Sequence, residues 1–566
     1  MTRSVATRSG EHAMSKTLWP VPGRYVPYLI CIAAFVISLL CLQVSATWGW
    51  GVALFGGLSL LGTWDLLQPR RTISRNYPVI AHLRYCLEGI GPEIRQYFIE
   101  SDTDERPFSR EQRSVVYQRA KNQLDKRPFG SLLNLYGDGY EWVSHSVQPV
   151  AVDPSAYRVE IGGRCQQPYS ASVFNISAMS FGALSANAIL ALNKGARLGG
   201  FYQDTGEGGI SRYHLEHGGD LVWEIGSGYF GCRTPDGSFS PERFAETAGL
   251  DSVRMIEIKL SQGAKPGHGG ILPAAKVSPE IAAARGVPEG EDVISPPRHS
   301  AFSTPRELMQ FIGQLRELSG GKPVGFKLAI GHPWEWFALA KAMQASDERP
   351  DFIVVDGGEG GTGAAPLESI NRLGMPLDEA LLLVHNTLVG TGLRDHIRLG
   401  AAGKLTSGFK VARTLALGAD WCNAARGFMF ALGCIQSLSC HTDRCPSGVA
   451  TQDRRRSRGL HVGDKALRVR NFHAGTVEAL GSLLAAAGLS HLDQLTPDHI
   501  YRRLSGTEVR SFAELYPFVE KNALLSGAPA YPAVFREYWP RASPDTFHPV
   551  TPKHHPSEEA AMKGTA

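Results

Sequence analysis

Excess charge of either sign is missing from this chain of 566 residues: 58 lysines and arginines stand against 54 aspartates and glutamates, a formal net charge of +4. So small a balance, with no basic stripe interleaved with aromatics, gives no ground for nucleic-acid binding. The one dense basic run, Arg454-Arg455-Arg456-Ser457-Arg458, reads as a solvated loop. Cysteine is scarce and odd in number, nine in all, which argues against a disulfide framework and for a reducing compartment. Cys-x-x-Cys pairs are lacking, so zinc knuckles are excluded. The Gly-x-Gly-x-x-Gly at Gly358 to Gly363 follows a strand candidate but runs into Ala364-Ala365-Pro366 instead of opening a helix, so no dinucleotide fingerprint is read. Glycine, by contrast, is abundant at 62 residues and gathers in tight clusters, the mark of loops that let backbone approach a ligand.

Charge vanishes altogether from Tyr25 to Val44, and Trp48 to Leu67 carries only Asp65. About 20 apolar residues suffice to cross a bilayer, so the pair predicts a transmembrane hairpin over 25–68. Trp48, Trp50 and Trp64 lie where interfacial aromatics are expected. Arg3, Arg8, Lys16 and Arg24 precede the first span and Arg70, Arg71 and Arg75 follow the second, which puts both outer ends, and the rest of the chain, on the cytoplasmic side. A cleaved signal peptide would not be followed by a second span of this length. A buried core hairpin is the other alternative.

The domain reading is then a cytoplasmic tail over 1–24, the hairpin, a helical linker region over 73–150, a catalytic domain over 151–486, and a helical extension with a disordered tail over 487–566. In the catalytic domain short apolar runs alternate with helical patterns. The strand candidates are SVFNISAMS, GGFYQDT, RMIEIKLS, DVISP, PVGFKLAI, DFIVVDGG, HIRLGAAG and ADWCNAAR. Eight strands with intervening helices over about 250 residues predict an α/β fold, a (β/α)₈ TIM barrel. A doubly wound open sheet is the structural alternative.

Chemistry in a barrel belongs to the loops at the C-terminal ends of the strands. Those loops carry Thr205-Gly206-Glu207-Gly208-Gly209, then Ser261 to Gly270, then Asp356 to Gly363, then Gly403-Lys404 before Ser407-Gly408, and finally Ala425-Arg426-Gly427. Glycine loops beside a helix N-terminus after strands seven and eight are where a barrel binds phosphate. Lys327 falls on a strand, and a lysine buried in the barrel mouth is costly unless an anion answers it. The N1–C2 edge of a reduced flavin is such an anion. Cys434, Cys440 and Cys445, the last followed by Pro446, have a spacing that fits neither a zinc site nor a four-cysteine ferredoxin run. Three thiolates with no fourth suit a three-iron cluster; ordinary core cysteines are the bland alternative.

The segments NISAMSFGALS, DTGEGG, IEIKLSQGAKPGHGGILPAAKV, VISPPRHSAFSTPREL, DGGEGGTGAAPLESI and GCIQSLSCHTDRCPSGVATQD resemble the FMN-binding synthase domain of glutamate synthase, over Asn175 to Asp453. Within that family the chain is most similar to membrane-tethered proteins that carry this domain alone. The resemblance implies an FMN- and [3Fe-4S]-dependent oxidoreductase that reduces 2-iminoglutarate, formed from 2-oxoglutarate and ammonia, to L-glutamate. It implies Gln262, Lys265 and Arg285 as 2-oxoglutarate ligands, with Glu207 and Lys265 catalytic. Met179, Ser180, Lys327, Gly357, Gly358, Gly361, Thr362, Gly403 and Arg426 would contact the flavin, and Cys434, Cys440 and Cys445 the cluster. Electrons would come from ferredoxin or a reductase subunit, and lipid would be a partner through the hairpin.

Two departures stand out. Ala401-Ala402-Gly403-Lys404 replaces the family's Asp-Gly-Gly turn, and His268 replaces a glutamate. No glutaminase half with an N-terminal cysteine is expected here, which leaves the amine source open. Methylamine in place of ammonia (N-methylglutamate synthesis), oxidation of a 2-hydroxy or amino acid, and a non-catalytic membrane-bound sensor are the alternatives.

Overall fold

The computed structural model describes residues 23–69, 71–100, 106–124, 126, 128–526 and 532–551. The N-terminal tail with Arg3, Arg8 and Lys16, the flanking Arg70, and the end of the polar C-terminal tail (552–566) lie outside the described residues. The chain divides into two compact units, Met1–Ser101 and Asp102–Ala566.

In the first unit, helices Val26–Cys41 and Gly49–Leu67 are joined by a turn in which Ser45 accepts a hydrogen bond from the Thr47 N–H. With their flanking turns, Gly23–Cys41 and Ala46–Leu67 are long and apolar enough to cross a membrane. They pack side by side. The Tyr28 and Thr63 hydroxyls meet at 2.7 Å, and Gly62 leaves the space the Tyr28 ring fills, since a Cβ there would stand 2.3 Å from it. Helices Thr72–Asn76 and Ala81–Ile94 and a wider turn, Arg95–Ile99, complete the unit.

The second unit is built on a closed eight-stranded parallel barrel. Its strands are β1 (Phe174–Ile176), β2 (Gln203–Asp204), β3 (Leu221–Ile225), β4 (Val253–Lys259), β5 (Val324–Leu328), β6 (Phe352–Asp356), β7 (Arg398–Ala402) and β8 (Trp421–Ala424). Each pairs in parallel with the next, and Cys422 opposite Phe174 closes the ring. Tyr202, Val222, Met255, Phe352, Val354 and Trp421 fill the interior toward the strands' N-terminal ends, where the antiparallel hairpin Arg158–Ile161/Tyr169–Ser172 adds Ile161 and Tyr169 as a plug. Burying that end leaves the C-terminal mouth as the open one.

One strand differs from the sequence expectation. The run DVISP supplies only Val293–Ile294, which pairs antiparallel with Ile271–Leu272 in a small ribbon outside the barrel. Its place is taken by LVWEI, which is β3, so RMIEIKLS is the fourth strand and its loop follows strand four. The expected linker over 73–150 also divides, because the boundary between the units falls inside it. Its second half has one helix, Arg110–Ala120, and one strand, Glu141–Val143, with neither between them among the described residues. That strand pairs with Ile500–Arg503, which pairs in turn with Val509–Ser511, so the C-terminal extension is mixed rather than helical. A 26-residue helix, Val462–Ala487, packs along Ala186–Gly199 and Arg110–Ala120. The arginine run forms a short exposed helix, Arg454–Ser457, instead of a loop.

Candidate functional site

The barrel mouth opens into a cavity of about 770 Å³. On its floor, the β3–β4 register sets Glu224 beside Glu257. The Lys327 ammonium reaches from β5 to both, contacting Glu224 and standing 3.1 Å from Glu257. The lysine therefore already has anions within the protein, which the strand sequence alone did not reveal, while it also lines the cavity. Asp204 joins the set, bringing three carboxylate oxygens within 4.8 Å of one another. With Lys327 already paired in their midst, this is a cation pocket filled by a side chain and not an open metal site. Burial pushes the Asp204 carboxyl well above its ordinary range and that of Glu257 up to about 7. Burial alone would lower the Lys327 pKa, but Glu224, Glu257 and Asp204 outweigh it and raise it.

One wall gathers charge of the other sign. Glu207, in the loop after β2, lies 3.0 Å from the Lys259 ammonium at the end of β4. Lys265 and Arg285 line the same wall, with Gln262 beside them. The Lys265 ammonium donates to the Gly269 carbonyl at 2.5 Å, and the Arg285 guanidinium donates to the Phe181 carbonyl at 3.2 Å. Arg285 Nε is buried without a hydrogen-bond partner. Burial would raise the Glu207 pKa, yet Lys259, Arg285 and Lys265 hold it below the ordinary range. Burial lowers the pKa of both Lys265 and Arg285. Two glycines make the wall possible. Gly206 turns at φ +64° where a Cβ would sit 2.6 Å from the Ser180 nitrogen, and a Cβ on Gly270 would sit 2.1 Å from the Glu207 carboxylate. Three cations surround the Glu207 carboxylate, and even with Asp356 acting on Lys259 positive charge is in excess on this wall. A dicarboxylate matches that surplus.

Met179 and Ser180 line the cavity next to Gly206, and Gly361, Thr362, Gly403 and Arg426 line it as well. The Arg426 guanidinium donates to the Glu359 carbonyl at 2.5 Å and passes over Gly361, where a Cβ would stand 2.7 Å from it. Gly357 and Gly358 do not line the cavity. Their N–H groups donate to Ala402 and Met375, both at 2.8 Å, which ties the loop to β7 and its neighbours. Ser407 caps helix Gly408–Ala416 by accepting from the Lys410 N–H. His268 is exposed and lies outside this cavity.

Cys434 and Cys440 line the cavity edge, while Cys445 is buried behind it. Burial pushes the Cys434 thiol up to about 12 and raises that of Cys440. Burial acts on Cys445 too, but hydrogen bonds from the Ser447 hydroxyl and from the Ala450, Ser447 and Val449 backbone outweigh it and lower its pKa. A sulfur cradled by that many donors is prepared to be a thiolate ligand. Among the described residues these three are not a set whose ligand atoms converge within 4.8 Å, as ligands of a single ion would. The three thiols are near enough for Cys440 and Cys445 to act on the ionisation of Cys434, and an all-thiol donor set is the chemistry that iron clusters use. The segment is held by Tyr117, whose hydroxyl donates to the Cys434 carbonyl at 2.6 Å, and by the buried Lys276, whose ammonium donates to the carbonyls of Cys440 and Ala450 at 2.9 and 3.2 Å.

Lys259, Glu224, Asp356, Lys276 and Phe108 face the cavity and were not singled out from sequence. Lys259 had a signal, since it ends an apolar strand just before the glycine-rich loop.

The conserved region in glutamate synthase matches this chain over residues 153–490. The glutamate synthase large subunit-like protein YerD of Bacillus subtilis (strain 168) is 38% identical over 533 residues, covering 87% of this chain and 99% of that protein. An archaeal glutamate synthase [NADPH] of Methanocaldococcus jannaschii is 36% identical over 321 residues, 56% of this chain and 60% of that protein. The glutamate synthase [NADPH] large chain of Bacillus subtilis is 34% identical over 332 residues, and the match spans 20% of its length. The chain thus spans nearly all of the first relative but only part of the two named as NADPH enzymes.

Proposed function

We propose, from the premise that this chain belongs to the glutamate synthase family of oxidoreductases, that its barrel reduces 2-iminoglutarate, formed from 2-oxoglutarate and ammonia, to L-glutamate. The observation that carries the reading is the wall of Lys259, Lys265 and Arg285 around the single carboxylate of Glu207. Its charge suits a dicarboxylate, and the glycine-lined remainder of the cavity has room for a flat cofactor.

The cavity fits FMN by size, since small-molecule and cofactor sites run to about 300–1,000 Å³ and this one is about 770 Å³. Met179, Ser180, Lys327, Gly361, Thr362, Gly403 and Arg426 would hold it, and Cys434, Cys440 and Cys445 would hold a [3Fe-4S] cluster. When bound, FMN supplies the two-electron reduction of the imine carbon and the cluster supplies single electrons drawn from a ferredoxin or reductase partner. The protein's own residues do the rest. Lys265 and Arg285 grip the two carboxylates and Gln262 orients the 2-oxo end. Ammonia, free or delivered by a partner, adds to the 2-oxo carbon and water leaves. Glu207, ionised beside Lys259, is placed to take a proton from the adding nitrogen and return one to the departing oxygen. Atoms and electrons balance as 2-oxoglutarate plus ammonia, two electrons and two protons giving glutamate and water.

The hairpin is read as a two-span membrane anchor that leaves the barrel in the cytoplasm; it is supported by the two apolar helices and by the arginines outside them. The test of the catalytic reading is an anaerobic spectrum of the detergent-purified full chain. Yellow flavin absorbance, bleached by reductant and restored by 2-oxoglutarate plus ammonia, is expected. Absence of flavin, or restoration only with methylamine, overturns it.

A further inference from the structure

Beyond the hairpin, the first unit carries an exposed apolar stripe. Leu83, Leu87 and Ile90 recur at spacings of four and three along helix Ala81–Ile94, with Ile80 three residues before Leu83 in the preceding turn, which places them on one face. All four are exposed, Leu83 at 61% and Leu87 at 51%. Tyr97, Phe98 and Ile99 extend the exposed surface through Arg95–Ile99. The other side of the helix is engaged. His82 Nε2 meets the buried Asp65 carboxylate at 2.9 and 3.0 Å, and Arg71 lies over the Tyr85 ring. The Val79 N–H donates to the same carboxylate at 3.0 Å. These contacts pin the helix's start to Asp65, near the end of the second apolar helix at Leu67, and turn the stripe away from the contacts that hold it.

We propose that helix Ala81–Ile94 with the turn to Ile99 lies in the interface of an anionic lipid bilayer, stripe down, as a second contact beside the spanning hairpin. Three observations select lipid. The stripe is continuous with the hairpin through the Asp65 clamp, so it begins at the level where the apolar helices end. Tyr77, Tyr97 and Phe98 are exposed around it, as aromatics at headgroup level are. Arg71 and Arg75 precede it and Arg95 sits along it with Arg84, which pairs with Glu88 at 2.6 Å, the arrangement by which interfacial helices engage acidic headgroups. This rests on the hairpin crossing the membrane.

The test is site-specific photocrosslinking with benzophenylalanine in the full chain, reconstituted in nanodiscs of phosphatidylcholine with and without phosphatidylglycerol. Ile30, on the exposed face of the first apolar helix, reports on the hairpin itself. Positions Leu83 and Leu87 are expected to yield lipid adducts severalfold above Glu93, on the far side of the helix, and the yield is expected to fall when phosphatidylglycerol is omitted. A chain-to-chain adduct at Leu87 would assign the stripe to a second copy, and an adduct within the chain would assign it to the protein's own surface; either overturns the proposal. An equal yield in both lipid mixtures overturns the acidic-headgroup selection. If Ile30 also gives no lipid adduct, the hairpin reading has failed; if Ile30 gives one and Leu83 and Leu87 do not, only the interfacial helix has.

Discussion

Lys259 and Glu207 form an ion pair of 3.0 Å on the cavity wall, each side chain largely buried. Glu207 sits among Lys259, Lys265 and Arg285, and those cations hold its pKa down against the opposing effect of burial. Replacing it by glutamine should have two opposite effects. Binding of 2-oxoglutarate tightens because the competing internal anion is gone, while kcat falls on the order of 10²–10⁴-fold through loss of the proton acceptor. A KM-against-kcat split in steady-state assays checks this. The pH sign follows from the lowered pKa. The stability Glu207 contributes is present above its unfolded value and lost as pH falls through its folded one, so the wild type should lose more on acidification than Glu207→Gln.

Lys265 and Arg285 should behave as binding residues. A hydrogen bond to a charged group contributes about 1.5–3 kcal/mol, so Lys265→Ala should raise the KM for 2-oxoglutarate roughly 10- to 150-fold. Arg285→Lys keeps the charge but loses the fork, and a rise in KM is expected there too. A monocarboxylate such as 2-oxobutyrate should discriminate the variants from wild type less than 2-oxoglutarate does.

The sequence carried the barrel's period, its glycine loops and the cysteine group, because each is local. It did not carry β3. LVWEI places Glu224 in mid-strand, and a buried acid there makes sense only beside Lys327, 103 residues later. DVISP, apolar and bounded by proline, looked the better strand, but it pairs outside the barrel. Lys327 was legible as a barrel lysine, and its partners were not, for the same reason. Gly357 and Gly358 looked like cofactor glycines from their motif, yet their N–H groups serve the scaffold, a distinction that only hydrogen-bond geometry makes.

The buried carboxylates predict a stability effect. Lys327→Met leaves Asp204, Glu224 and Glu257 without their cation and should destabilise the fold by about 3–5 kcal/mol, read as a lower urea midpoint. Burial raises the Glu257 pKa to about 7, so the folded chain holds that proton more tightly than the unfolded one. Its contribution is complete below the unfolded carboxylate value and declines as pH rises through about 7. Glu257→Gln should flatten that part of the stability profile.

The cysteine segment predicts iron content. Burial lifts the Cys434 and Cys440 thiols, so thiolates there require a positive centre, and an iron cluster provides one. Anaerobically purified protein should contain about three irons per chain. Cys440→Ser should lose most of the iron and its electron paramagnetic resonance signal while keeping its flavin, because serine preserves the packing of this position against Gly363 and no thiol is among the groups that would hold FMN. Cys86, exposed in the first unit, supplies the control, and Cys86→Ser should leave the iron unchanged. Iron retained in Cys440→Ser would remove that thiol from the ligand set. Iron lost equally from both variants would show a general lability with no bearing on Cys440, and the assignment would then rest on whether Cys445→Ser, which removes the sulfur cradled by backbone donors, abolishes the signal.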